Sequence, residues 1–137
     1  MKIRRAKIVL FAFVLFMAGL VALADSGHGR QFFRLADKVP GGDKIGHFLL
    51  FGMLAFLVNL VLRAAQIRLW RISFLKGSAA VLFVATLEEF SQLFLRSRSF
   101  DLGDLTADIL GICFFGWLAK KYLSWRRTKP NPFAKTL

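Results

Sequence analysis

The chain has 137 residues, enough for one compact domain, and its 56% hydrophobic content with sixteen Phe exceeds ordinary soluble usage. A water-soluble globule is therefore excluded as the simplest account, and a membrane solvent is indicated. The formal charge of +12 does not point to nucleic acid, because the Lys and Arg residues stand between and beyond apolar runs instead of along one basic face.

Four apolar runs, 8–24, 45–62, 77–95 and 102–118, each come close to the ~17–25 residues an α-helix needs to cross the hydrocarbon. They predict an all-α integral membrane bundle of four transmembrane helices. The whole of 1–137 reads as a single membrane domain with a basic cytoplasmic tail at 119–137. The first run has two readings: Lys2, Arg4, Arg5 and Lys7 before it, and Ala22-Leu23-Ala24 at its end, suit an anchor or a cleaved secretory signal. Cleavage would leave three spans. Residues 26–42, with four Gly and Pro40, predict an irregular loop over the mouth of the bundle. Residues 63–76 mix Leu69, Trp70, Ile72, Phe74 and Leu75 with basic side chains, as in a short amphipathic helix on the inner surface or a solvated connector. The single cysteine, Cys113, lies in an apolar run and reads as a small buried hydrophobe.

Basic residues set the orientation, since cytoplasmic loops retain Lys and Arg. The N-terminal segment, the 63–76 connector (Arg63, Arg68, Arg71, Lys76) and the tail (Lys120, Lys121, Arg126, Arg127, Lys129, Lys135) are assigned inside. Residues 25–44 spread four basic residues over a longer stretch with three Asp, and Arg96 and Arg98 are matched by Asp101 and Asp104, so both segments are assigned outside. The expected location is a bacterial cytoplasmic membrane, with both termini cytoplasmic if the first span is retained. All eight acids fall in the outer segments or the helix ends beside them, and Trp117, Tyr122 and Trp125 flank the inner end of the last span.

The informative residues are polar ones inside or beside the spans, because an ionised Asp at a helix centre costs roughly 2.5–3.5 kcal/mol on insertion scales. Residues three or four apart share a helix face. Asp43 with His47, Glu88 and Glu89 with Gln92, and Asp104 with Asp108 obey that spacing on three different spans. Their depths converge, which predicts one outward-opening polar cluster with Lys44, Arg96 and Arg98 at its rim and Asp101 beside it. Gly111 and Gly116 are small enough to let helices approach closely.

The run Asp43-Lys44-Ile45-Gly46-His47-Phe48, then Glu89-x-x-Gln92, Arg98-Ser99-Phe100-Asp101 and Asp104-x-x-x-Asp108-x-x-Gly111, resembles the VanZ-like membrane proteins over about 43–118. That family takes its name from an accessory factor of glycopeptide-resistance clusters that lowers susceptibility to teicoplanin. Two departures are visible. The family commonly carries Asn where this chain has Asp108, and Pro-Gly before the arginine where this chain has Arg96-Ser97.

Binding of an envelope lipid or cell-wall precursor is the first functional reading. Lys44, Arg96 and Arg98 would hold phosphate, Ser97 and Ser99 would add hydrogen bonds, and the acids would orient polar headgroup atoms. A membrane-embedded hydrolase or transferase is the second, with His47, Glu89, Asp104 and Asp108 holding a divalent metal or a buried carboxyl acting as general acid. One His and several acids on three helices form no recognised metal spacing, so no cofactor is expected. A third reading makes the cluster a set of polar contacts that fix helix register. A proton-coupled transporter is a further one, which so small a chain would serve only as a homo-oligomer. Membrane lipids are the expected partners, and nucleic acid is not.

Overall fold

The computed structural model describes residues 3–26, 40–94 and 101–128. The chain forms helix α1 (Ile3–Asp25), helix α2 (Gly42–Val61), a hairpin of β1 (Gln66–Leu69) and β2 (Ile72–Leu75), helix α3 (Lys76–Ser91) with a closing 3-10 turn (Gln92–Phe94), and helix α4 (Leu102–Thr128). The helical bundle follows from the apolar runs, because in a medium without water only a helix or a closed barrel satisfies its own backbone.

Three helices, α1, α2 and α4, are long and apolar enough to cross a membrane. The expectation of four spans is met in part, because the fourth helix, α3, has only 16 residues. At ~1.5 Å per residue it covers about 24 Å, short of the ~30 Å hydrocarbon core. Its last turn carries Glu88 and Glu89, and the 3-10 turn Gln92–Phe94 continues it at that end.

Helix α2 is the central element. Met17 of α1, Phe51, Leu54 and Ala55 of α2, Val81 and Ala85 of α3, and Ile112 of α4 form the apolar core. Helices α2 and α4 run parallel: Lys44 meets Asp104 near their starts, Phe48 meets Gly111, Gly52 meets Phe115, and Phe56 meets Tyr122 near their far ends. Helix α3 runs against both, with Gly77 against Asn59, Ser78 against Gly116, and Glu89 bonded to the backbone of Asp101. The buried residues of α3, Gly77, Val81, Ala85 and Glu89, form one stripe at four-residue spacing.

The surface is inverted relative to a soluble protein. Large apolar side chains such as Phe11, Phe83, Leu87, Leu110 and Trp117 are exposed, while Asn59, Glu89, Gln92, Asp104 and Asp108 are buried. A lipid environment explains that inversion, since exposed apolar surface costs nothing in hydrocarbon and polar groups must turn inward. Cys113, expected to be buried, lies on the exposed side of α4.

Residues 63–76 form no amphipathic helix. They make an antiparallel hairpin in which Ile67 pairs with Phe74 and Leu69 with Ile72, while Arg68 pairs with Ser73. Side chains alternate across a strand, so Ile67, Leu69, Ile72 and Phe74 share one face. The segment is amphipathic, with period two in place of 3.6. Its two-residue turn demands a left-handed residue, and Trp70 supplies it at φ 55° with its side chain almost wholly exposed.

Where α2 and α4 approach most closely, a Cβ on Gly111 would collide with the backbone carbonyl of Phe48, whereas one on Gly46 would meet nothing within 4 Å. Gly111→Ala is therefore expected to destabilise the bundle by about 1–3 kcal/mol, the usual range for overpacking against an unyielding backbone. Gly46→Ala should be neutral or slightly stabilising, because it improves helix propensity by up to ~1 kcal/mol. Thermal unfolding of both variants in mild detergent checks the pair.

Candidate functional site

The start of α4 is fixed by its own first residues. Asp101 stands at the N-cap, and its Oδ1 accepts the Gly103 N–H at 2.6 Å. Its other oxygen, Oδ2, accepts from Lys44 Nζ of α2 at 2.7 Å, and its backbone N–H donates to Glu89 Oε1 of α3 at 2.7 Å. One residue thus ties three helices together at the same end of the bundle. The Lys44 ammonium, followed by the Gly103 N–H, holds the Asp101 carboxyl below the usual carboxylate range. A depressed value means that this stabilisation is complete above the unfolded carboxyl's pKa of ~3.9 and is lost only as pH falls through the folded value.

The network extends in both directions from Asp101. Lys44 Nζ also donates to Asp104 Oδ1 at 3.0 Å and lies 3.4 Å from Asp43 Oδ2. Asp104 Oδ2 lies 3.8 Å from His47 Nε2, and His47 Nδ1 lies 3.1 Å from Asp108 Oδ1, where a protonated nitrogen donates to the carboxylate. On the α3 side, Gln92 Nε2 donates to Glu89 Oε2 at 3.1 Å and reaches both oxygens of Glu88. The connected path is Glu88, Gln92, Glu89, Asp101, Lys44, Asp104, His47, Asp108. The ring of His47 stacks on Phe51, which closes the cluster against the apolar core.

Nine of the ten candidate residues are therefore brought together: Asp43, Lys44, His47, Glu88, Glu89, Gln92, Asp101, Asp104 and Asp108. Arg98, with Arg96, Ser97 and Ser99, lies outside the described residues. Lys44, expected at the rim as a phosphate ligand, has its ammonium paired with three carboxylates, Asp43, Asp101 and Asp104. The described cluster holds six carboxyl groups against one Lys and one His, so it favours a cation or hydroxyl donors over an anion.

Asp43, Asp101 and Asp104 place carboxylate oxygens within 4.8 Å of one another, the spacing of a cation site. Lys44 Nζ bonds all three, so a divalent ion would have to displace it. Among the described residues this is the only such grouping, and the set His47, Glu89, Asp104 and Asp108 does not form one.

Two buried oxygens find no hydrogen-bond partner among the described residues: Asp108 Oδ2 and Asn59 Oδ1. Asn59 is a polar node that the sequence reading passed over. Its amide donates to Ala55 O and Ser78 Oγ, both at 2.9 Å, at a point where Gly77 and Gly116 leave room for it. A lone Asn inside an apolar run, with Gly and Ser at corresponding depths of two other helices, was the available signal.

In a comparison with known families, the family model VanZ/LLP1 matches residues 5–124. No curated protein and no solved structure matches significantly.

Glu89→Ala should be among the costlier single changes in the cluster. It leaves the Asp101 N–H without its acceptor, a loss of about 1–3 kcal/mol for one buried donor. Asp43→Ala, which removes a long and exposed ion pair, should cost less than ~1 kcal/mol. Thermal unfolding in mild detergent at neutral pH measures the difference.

Proposed function

The chain belongs to the VanZ/LLP1 family of multi-pass membrane proteins, and from that premise we propose that its polar cluster opens outward from a bacterial cytoplasmic membrane. There it binds the polar head of an envelope lipid or cell-wall precursor. Through that binding it alters glycopeptide susceptibility, teicoplanin in particular. The orientation is supported by charge: in the described residues Arg4, Arg5, Lys7, Arg63, Arg68, Arg71, Lys76, Lys120, Lys121, Arg126 and Arg127 gather towards one end, opposite the carboxyl cluster. By the positive-inside rule that basic end, with both termini, is cytoplasmic.

The observation that carries the binding reading is Asp108. It is wholly buried, one oxygen faces His47, and the other has no partner among the described residues. A buried acceptor without a donor costs free energy that a ligand hydroxyl or ammonium would recover. Because the cluster is rich in carboxylates, the group it takes is an amine or a set of hydroxyls, and the phosphate of the same ligand falls to Arg96 and Arg98.

A second reading is favoured by the placement of His47 between Asp104 and Asp108. A histidine flanked by carboxylates on both ring nitrogens is arranged to accept and return a proton, as a hydrolase or transferase acting on an envelope lipid requires.

Both readings are tested in a host in which the wild type protects against teicoplanin. His47→Ala, Glu89→Gln, Arg98→Ala and Asp104→Asn are expected to lose protection while membrane abundance holds. Protection falling only in step with abundance would reduce the cluster to helix contacts. Mass spectrometry of lipids retained after mild-detergent purification separates the two readings: an enriched intact envelope lipid supports binding, a processed product supports catalysis, and bulk phospholipid alone counts against both.

A further inference from the structure

We propose that the opposite, basic end of the bundle carries a second site, which holds the phosphate group of an anionic phospholipid. A cleft of about 260 Å³ opens there between the first turn of α1, the end of α2 and the last turns of α4. Ile3, Leu60 and Leu123 give it apolar walls, and Arg63, Arg126 and Arg127 also line it. Its lining is thus that of an amphiphile: apolar on one side and cationic on the other.

Charge decides which amphiphile fits. Among the described residues no carboxylate forms an ion pair with any of the three arginines; every ion pair involves Lys44 or His47 at the far end. Arginines that line one cleft and form no ion pair with a described carboxylate are complementary to phosphate, which a guanidinium binds in a bidentate fork. Tyr122, also on the cleft, accepts from Arg126 at 3.4 Å and lies under its guanidinium, which steadies that side chain.

Depth decides the source of the phosphate. Helix α4 has 27 residues. At ~1.5 Å per residue it spans about 40 Å, so a ~30 Å hydrocarbon core that begins at its start leaves the last two turns in the headgroup layer. The arginines therefore stand where lipid phosphates lie. The apolar walls would repel a hydrated inorganic anion but suit the glycerol and ester region of a lipid, and basic pockets between transmembrane helices are a known form of acidic-headgroup site. The backbone at Arg63 fits the same picture. Arg63 and Ala64 both adopt left-handed conformations, φ 54°, at a helix end where glycine would carry no penalty. The chain keeps an arginine at that position, next to the cleft.

The full chain, purified in mild detergent, is titrated with phosphatidylglycerol and separately with phosphatidylcholine, and bound lipid is counted by native mass spectrometry. The wild type is expected to prefer phosphatidylglycerol. Arg63→Gln should reduce that preference about fivefold, and the pair R126Q/R127Q about fivefold for each arginine removed. The pair K120Q/K121Q, which removes the same charge from the same helix outside the cleft, should keep it. Circular dichroism confirms equal helicity across the variants. Equal loss in both pairs would show diffuse surface attraction and overturn the site, as would no loss in either. Displacement of phosphatidylglycerol by millimolar inorganic phosphate would also overturn it, because the site would then belong to a free anion.

Discussion

A charge in hydrocarbon has no water to turn to, and most of this structure follows from that constraint. Glu89 and Asp108 are wholly buried and Gln92 nearly so. Each is held by partners supplied from a neighbouring helix or turn: Asp101 and Gln92 for Glu89, and His47 for Asp108. Pairing of this kind requires three helix ends to meet at one depth. The meeting in turn requires the backbones of α2 and α4 to pass close together, which Gly111 allows. The apolar core below the cluster is thin and built from Met, Phe, Leu, Ala, Val and Ile. In lipid such packing has no hydrophobic drive behind it, so polar contacts and close fit carry a larger share of helix association than they do in water.

Helix α3 shows the same constraint acting on length. Its inward stripe begins with Gly77 beside Asn59 and ends with Glu89, so both ends are fixed by polar partners on α2 and on the turn before α4. The helix that joins those fixed points has 16 residues. The hairpin before it brings the chain back from the end of α2, with the Lys76 N–H bonded to Ala65 O across its base. The apolar face of the hairpin, Ile67, Leu69, Ile72 and Phe74, is exposed, and an isolated two-stranded ribbon is marginal in water. Like the outer faces of the helices, it suits an apolar surrounding.

The helices and the polar residues that share each face were legible in the sequence, because hydrophobic length and three- or four-residue spacing are local properties. Pairing across helices was not. Lys44 reads as a rim cation until the folded chain places Asp101 and Asp104 around it, more than fifty residues away in sequence. Nothing local in Asp108 says that His47 faces one of its oxygens and that the other finds no donor among the described residues. The hairpin was missed for a different reason. Its apolar residues alternate, Ile67 and Leu69, then Ile72 and Phe74, but Trp70-Arg71 carries no Gly or Asn to announce a tight turn. Cys113 was misjudged by applying the rule of soluble cores, in which apolar means inward, to a helix whose apolar side faces out.

The two ends of the bundle differ in how their charges are satisfied, and that difference governs what each can hold. At one end the cation is used up internally: Lys44 is shared among carboxylates, so a phosphate arriving there would meet Asp43, Asp101 and Asp104 before it met a free ammonium. An amine or hydroxyl would meet acceptors, Asp108 Oδ2 among them. At the other end the arginines have no acids to neutralise them among the described residues, and the preference reverses. The length of the bundle and the solvent at each end keep the two charge sets apart, since exposed charges separated by more than the ~10 Å Debye length are largely screened by salt. The same short chain therefore carries a carboxylate-rich end and an arginine-rich end, with opposite charge to offer.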